Sequence, residues 1–90
     1  MEEIKKQYLL FLSEIIAKMA VIFGPDITIQ KARSVEGLVL DGNGNVTDIN
    51  GYMTDKTEEL INGYMRLSGS IVKKNIDSII AKYPQIKRAG

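Results

Sequence analysis

A chain of 90 residues with 44% hydrophobic and 26% charged residues has the size and composition of one globular domain, predicted to span residues 1–90. It contains neither Cys nor His, which excludes disulfides and thiolate metal sites and removes the commonest general base, so we expect no enzyme, metal site or cofactor. A net charge of +1 without a basic block argues against nucleic-acid binding.

The N-terminal sequence bears on the cellular compartment. Its first residues, MEEIKK, carry acidic side chains where a secretory signal has only positive charge. The apolar stretch from Tyr8 to Phe23 is interrupted by Glu14 and Lys18, so we expect no membrane span. Its polar side chains mix both signs of charge, unlike those of a helix that lies on a membrane surface. A cytoplasmic protein is predicted.

The N-terminal segment predicts a helix from about Glu2 to Phe23. At 100° per residue, most of its apolar side chains fall within about half of the helix circumference. Leu10, Ala17 and Val21 lie in the other half, as a thin second apolar stripe. These three are either scattered exposed residues, which are common, or a contact face toward a partner chain.

Gly24-Pro25 ends this helix, and the segment that follows, residues 25–34, has two interpretations. Pro at a first helical position followed by an acidic residue favours a short helix to about Ser34. The β-branched run from Ile27 to Ile29 favours a strand instead. The helix is slightly preferred.

Two short β-prone runs, VEGLVLD and NVTDIN, are separated by Gly and Asn residues and predict a β-hairpin. Its loop would extend from Asp41 to Asn45.

The C-terminal half then predicts a helix, because Asp55-Lys56-Thr57-Glu58 has the spacing of a capping box and apolar residues recur at helical spacing until Pro84. Ser68-Gly69-Ser70 marks either a weak point or a break into two helices. One long helix with a frayed tail, QIKRAG, is preferred.

The hairpin loop resembles an oxygen-rich calcium loop, and spacing decides between an ion site and a turn. An EF-hand needs carboxylates at its first and twelfth positions and Gly at its sixth. If Gly44 is the sixth residue, Val39 and Asn50 occupy the two carboxylate positions. If Asp41 is the first residue, Val46 occupies the glycine position. We therefore predict a turn and no metal site.

The predicted fold class is α+β, with a long N-terminal helix, a β-hairpin and a long C-terminal helix. A two-stranded hairpin is barely stable in water and presents two open edges. A chain this short also buries a small core. We therefore predict a homodimer in which two hairpins join into one four-stranded sheet.

The stretch VEGLVLDGNGNVTDI, followed by TEELINGYMRLSGSIVKK, resembles the strand, turn, strand and helix portion of the roadblock (dynein light-chain) family. The resemblance covers about residues 35–80 and includes no diagnostic residue. It implies a non-enzymatic homodimeric scaffold or regulator of small GTPases or motors. That family continues with further strands and a last helix, whereas seven residues follow Tyr83 here. No functional residue is transferred.

Three classes of function follow from these patterns. The preferred one is a non-catalytic interaction or regulatory module, a homodimer that could also bind another protein, with Leu10, Ala17 and Val21 at the interface. The alternative is a small-ligand or anion-binding protein, for which Lys31 and Arg33 near the Gly-rich turn are the candidates, although both also fit solvated charges. The third is an enzyme built on carboxylates, Lys or Tyr, such as Asp41 with Asp48, although two Asp beside a hairpin turn more often only form the turn.

Overall fold

The computed structural model describes residues 2–86, without the side chain of Glu2. Helices and one antiparallel hairpin make up this part of the chain, which confirms the predicted α+β class. Within residues 2–86, no helix is both long and apolar enough to cross a membrane. In chain order, the elements are α1 (Glu2–Phe23), α2 (Pro25–Arg33), β1 (Leu38–Leu40), β2 (Val46–Ile49), α3 (Met53–Met65) and α4 (Gly69–Ile80).

The predicted N-terminal helix is confirmed and lies at the centre of the fold. Phe11, Leu12, Ile15 and Met19 of α1 are fully buried. The other elements pack around this face, since α1 contacts α2, α3, α4 and β2. Burial of such apolar side chains is the main favourable contribution to folding.

Residues 25–33 form a helix, as preferred from the sequence. Gly24 has a φ of +92°, which suits glycine, and lets the chain turn between α1 and α2. Thr28 and Ala32 stand one turn apart and are both fully buried, so burial follows a helical period and not the alternation of a strand. The Tyr64 hydroxyl donates a buried hydrogen bond of 2.8 Å to the Thr28 carbonyl and ties α2 to α3.

The hairpin is confirmed, and its register contains a bulge. Leu38 pairs with Ile49 and Val39 with Asp48, whereas Leu40 pairs with Val46, so Thr47 is an extra residue in β2. The bulge turns both Val46 and Ile49 toward the core, although they are three residues apart.

The loop of the hairpin is a tight three-residue turn. Gly44 N–H donates to the Asp41 carbonyl at 3.2 Å, and Asp41 N–H donates to the Asn45 carbonyl at 2.9 Å. Gly44 has a φ of +85°. This is a type I turn followed by a glycine bulge, a common three-residue hairpin connection.

The single long C-terminal helix predicted from the sequence is wrong, because the chain breaks between Met65 and Gly69 into α3 and α4. Ser68 is extended, with φ −164° and ψ 101°. The break lets α4 pack against both α3 and α1. The predicted capping box is also wrong, since α3 begins at Met53, with no side-chain cap at its N-terminal residue.

The predicted fraying of the tail is wrong as far as Ile86. The backbone N–H of Ile86 donates to the Tyr83 carbonyl at 2.9 Å, and its side chain is buried. The rest of the predicted tail, residues 87–90, lies outside the described residues.

Candidate functional site

The second apolar stripe of α1 is exposed to solvent. Leu10 is 58% exposed and Val21 is 83% exposed, and Ala17 between them is also exposed. We call these three residues the α1 ridge. The structure thus brings the three predicted interface residues onto one face of α1, and nothing within residues 2–86 covers that face.

A groove runs beside the α1 ridge, between α1 and α4. Its volume is about 410 Å³, and we call it the α1–α4 groove. Its lining combines aliphatic and polar side chains, with the buried Ile79 among them. The lining residues are Glu14, Ala17, Lys18, Val21, Asn75, Ser78, Ile79 and Lys82.

Two of the lining residues, Glu14 and Lys82, belong to a polar cluster that also includes Tyr83. Lys82 Nζ lies 2.5 Å from one carboxylate oxygen of Glu14, and the Tyr83 hydroxyl donates to the other at 2.8 Å. The ring of Tyr83 also contacts that of Phe11, with centroids 5.5 Å apart. No local sequence pattern predicts this cluster, because Glu14 lies 68 residues before Lys82 and 69 before Tyr83.

The charges of this cluster follow from its hydrogen bonds. The ammonium group of Lys82 and the hydroxyl of Tyr83 hold the pKa of Glu14 below its usual value. Burial, together with the Glu14 carboxylate, raises the pKa of Tyr83 to about 12. Glu14 is therefore ionised and Tyr83 neutral at physiological pH, and their contacts connect the segment after α4 to α1.

The structure separates the two cations proposed as ligand-binding residues. Arg33 reaches the hairpin loop, where its guanidinium donates to the Asp41 carbonyl at 3.4 Å. Lys31 lines a different groove, of about 260 Å³ between α2 and α3, together with Glu59 and Arg66. They do not converge on one ligand.

The groove at Lys31 combines charges of both signs. Its walls include residues at the C-terminal ends of α2 and α3, which carry the partial negative charge of the helix dipole. Lys31, Arg33 and Arg66 are favourably placed against those ends, and Glu59 adds a negative charge. These cations are already placed to interact with the C-terminal ends of α2 and α3. Their positions therefore add no support to the anion-binding alternative.

The carboxylates considered for catalysis are occupied by structural contacts. Asp41 accepts hydrogen bonds from the backbone N–H groups of Asn45 and Asn43, both at 2.9 Å, and these bonds lower its pKa. Asp48 pairs with Lys5 at 2.5 Å, which lowers its pKa. Both carboxylates are therefore more acidic than usual, the opposite of what a general acid near neutral pH needs. Among residues 2–86, no three His, Cys, Asp or Glu side chains group as a metal site.

We predict that millimolar calcium leaves the amide spectrum of residues 41–50 and the melting temperature unchanged. The reason is that Asp41 already accepts bonds from its own loop through both carboxylate oxygens and no second carboxylate is at an anchoring position. Titration followed by ¹H–¹⁵N correlation spectra measures this. A saturable shift centred on Asp41 and Asn43 would contradict it.

Comparison of the chain with family models, with curated proteins and with solved structures gives no match. The resemblance to the roadblock family therefore stays a prediction, and the function has to be argued from this chain alone.

Proposed function

We propose that the protein is a non-catalytic interaction or regulatory module that acts as a homodimer. The observation that carries the proposal is the uncovered α1 ridge, with Leu10 at 58% and Val21 at 83% exposure beside the α1–α4 groove. Single exposed aliphatic residues are ordinary, but aligned ones next to a concave surface are typical of contact sites.

The length of the chain supports the same proposal. A 90-residue chain buries a smaller share of its surface than a larger domain does, so its margin of stability is narrow. Burying the α1 ridge against a second copy would add apolar contact that residues 2–86 of a single chain do not make. The proposal includes binding or regulation of another protein, because a homodimer presents each of its remaining surfaces in two symmetric copies.

The hairpin offers the other arrangement of such a dimer, the shared four-stranded sheet. The far edge of β2 is covered, because Val46 N–H donates to Ser13 of α1 at 2.8 Å and Asp48 pairs with Lys5. Pairing would therefore use β1, where Val39 is 43% exposed. Two dimers are thus distinguishable by mutation, one through the α1 ridge and one through β1.

We expect the melting temperature to rise between micromolar and hundreds of micromolar protein, because a state that needs association is stabilised by mass action. Light scattering should give twice the 10.0 kDa chain mass, about 20 kDa. Val21→Lys should weaken association, since it places a charge on the ridge. A 10 kDa particle with a concentration-independent melting curve would overturn the homodimer.

Val39→Lys is the matched control. It introduces the same charge at another exposed valine, on β1 instead of α1. If the ridge is the contact surface, Val39→Lys keeps the dimer intact. If Val39→Lys dissociates the dimer and Val21→Lys does not, the homodimer stands but its surface is the hairpin edge.

A further inference from the structure

We infer that a second copy of this chain docks on the α1 ridge with the two α1 helices antiparallel, so that Leu10 of each chain packs against the partner's Val21. This inference rests on the proposed homodimer and adds its surface, orientation and register.

The first support is shape. In a two-fold dimer the same surface patch meets itself, so it has to contain both a projection and a matching depression. Here Ala17 and the exposed Val21 belong to the α1 ridge and also line the α1–α4 groove, whereas the exposed Leu10 lies outside the groove. Rotation about a two-fold axis near the middle of α1 places Leu10 of each chain beside the partner's Val21, at the edge of the partner's groove, so that side chains of the two helices interdigitate.

The second support is the spacing along α1. Leu10, Glu14, Ala17 and Val21 follow one another at intervals of four, three and four residues, which keeps them within about 60° of the helix circumference. An antiparallel pair of helices matches positions that are equally far from the axis. If the two-fold axis of the dimer passes between residues 15 and 16, Leu10 of each chain lies opposite the partner's Val21. The dimer then contains two identical contacts of this kind. The small Ala17 lies near the axis, where the helices approach most closely.

The third support is charge. Glu14 and Lys18 have opposite signs and lie on either side of residue 16, close to the same axis. Antiparallel packing brings each Glu14 toward the partner's Lys18, whereas parallel packing would bring like charges together. Glu14 has capacity for this contact, because its side chain is 31% exposed and a carboxylate accepts more than the two bonds from Lys82 and Tyr83.

Cysteine cross-linking tests the register, since the natural chain contains no Cys and gives no background. Leu10→Cys and Val21→Cys are made separately, one of them in ¹⁵N-labelled protein, then mixed and oxidised under air. The antiparallel register predicts a disulfide between the two variants in the mixture and little product from either variant alone. Two copies of residue 10 would lie about 16 Å apart along the helices, beyond the roughly 4–7 Å between Cα atoms that a disulfide spans.

Cross-linking and light scattering together distinguish a wrong register from the absence of a homodimer. Mixed-variant product, identified by mass, with little product from either variant alone, supports the antiparallel register. If each variant links to itself as readily as to the other while light scattering shows a dimer, the register is overturned and the homodimer stands. If a Val39→Cys variant links and the mixture does not, the α1 ridge is overturned as the surface. If the unmodified chain is monomeric, both the homodimer and the register fail.

Discussion

Replacing Ile76 by Ala is expected to lower the free energy of unfolding by about 2–5 kcal/mol, because the substitution leaves a cavity where a branched side chain was fully packed. Ile76 has no exposed surface and lies in α4, which packs on both α1 and α3. Urea denaturation measures the change. Wild type and variant have to be compared at one protein concentration, since association also contributes to stability.

Two further substitutions test which side of the C-terminal helices faces the core. Lys73→Ala removes an exposed side chain whose ion pair with Asp77 spans 3.2 Å, and should cost less than about 1 kcal/mol. Met65→Ala should cost less than Ile76→Ala, because Met65 is only half-buried. Equal small effects of Ile76→Ala and Lys73→Ala would mean that the face assigned to the core is wrong.

The elements predicted correctly are those whose signal is local. The apolar period of α1 extends over six turns, so no other structure would bury Phe11, Leu12, Ile15 and Met19 on one side. The Gly and Asn residues between two β-prone runs required a turn, and that turn formed the hairpin. The α1 ridge was also visible in advance, since it needs only the helical period of α1.

The features that were missed depend on partners distant in sequence. The sequence left a break at Ser68-Gly69-Ser70 open, but the apolar pattern continues beyond it, and only the packing of α4 on α1 and α3 distinguishes the break from one long helix. The bulge at Thr47 turns both Val46 and Ile49 inward, which simple alternation does not predict. Lys31 and Arg33 are two residues apart in sequence, yet the period of α2 points them to different surfaces.

Replacing Gly37 by Ala is expected to destabilise the protein by more than the roughly 1–2 kcal/mol that a left-handed conformation costs an L residue. Gly37 has a φ of +99° and accepts a 2.7 Å hydrogen bond from Asn50 N–H at the open end of the hairpin. A Cβ here would overlap the Asn50 carbonyl oxygen and lie 3.3 Å from its carbon. Backbone atoms cannot move aside as a flexible side chain can, so the strand pairing itself would have to shift. Thermal and urea denaturation measure the loss.

Gly63→Ala is the matched control and should have the opposite sign. Gly63 lies within α3, and a Cβ built there meets nothing within 4 Å. Alanine should therefore stabilise the helix by up to about 1 kcal/mol. Both substitutions restrict the unfolded chain alike, so the difference between them isolates strain in the folded state. If Gly37→Ala were as stable as Gly63→Ala, the close approach of Gly37 to Asn50 would be absent in solution, and β1 would have to pair with β2 in another register.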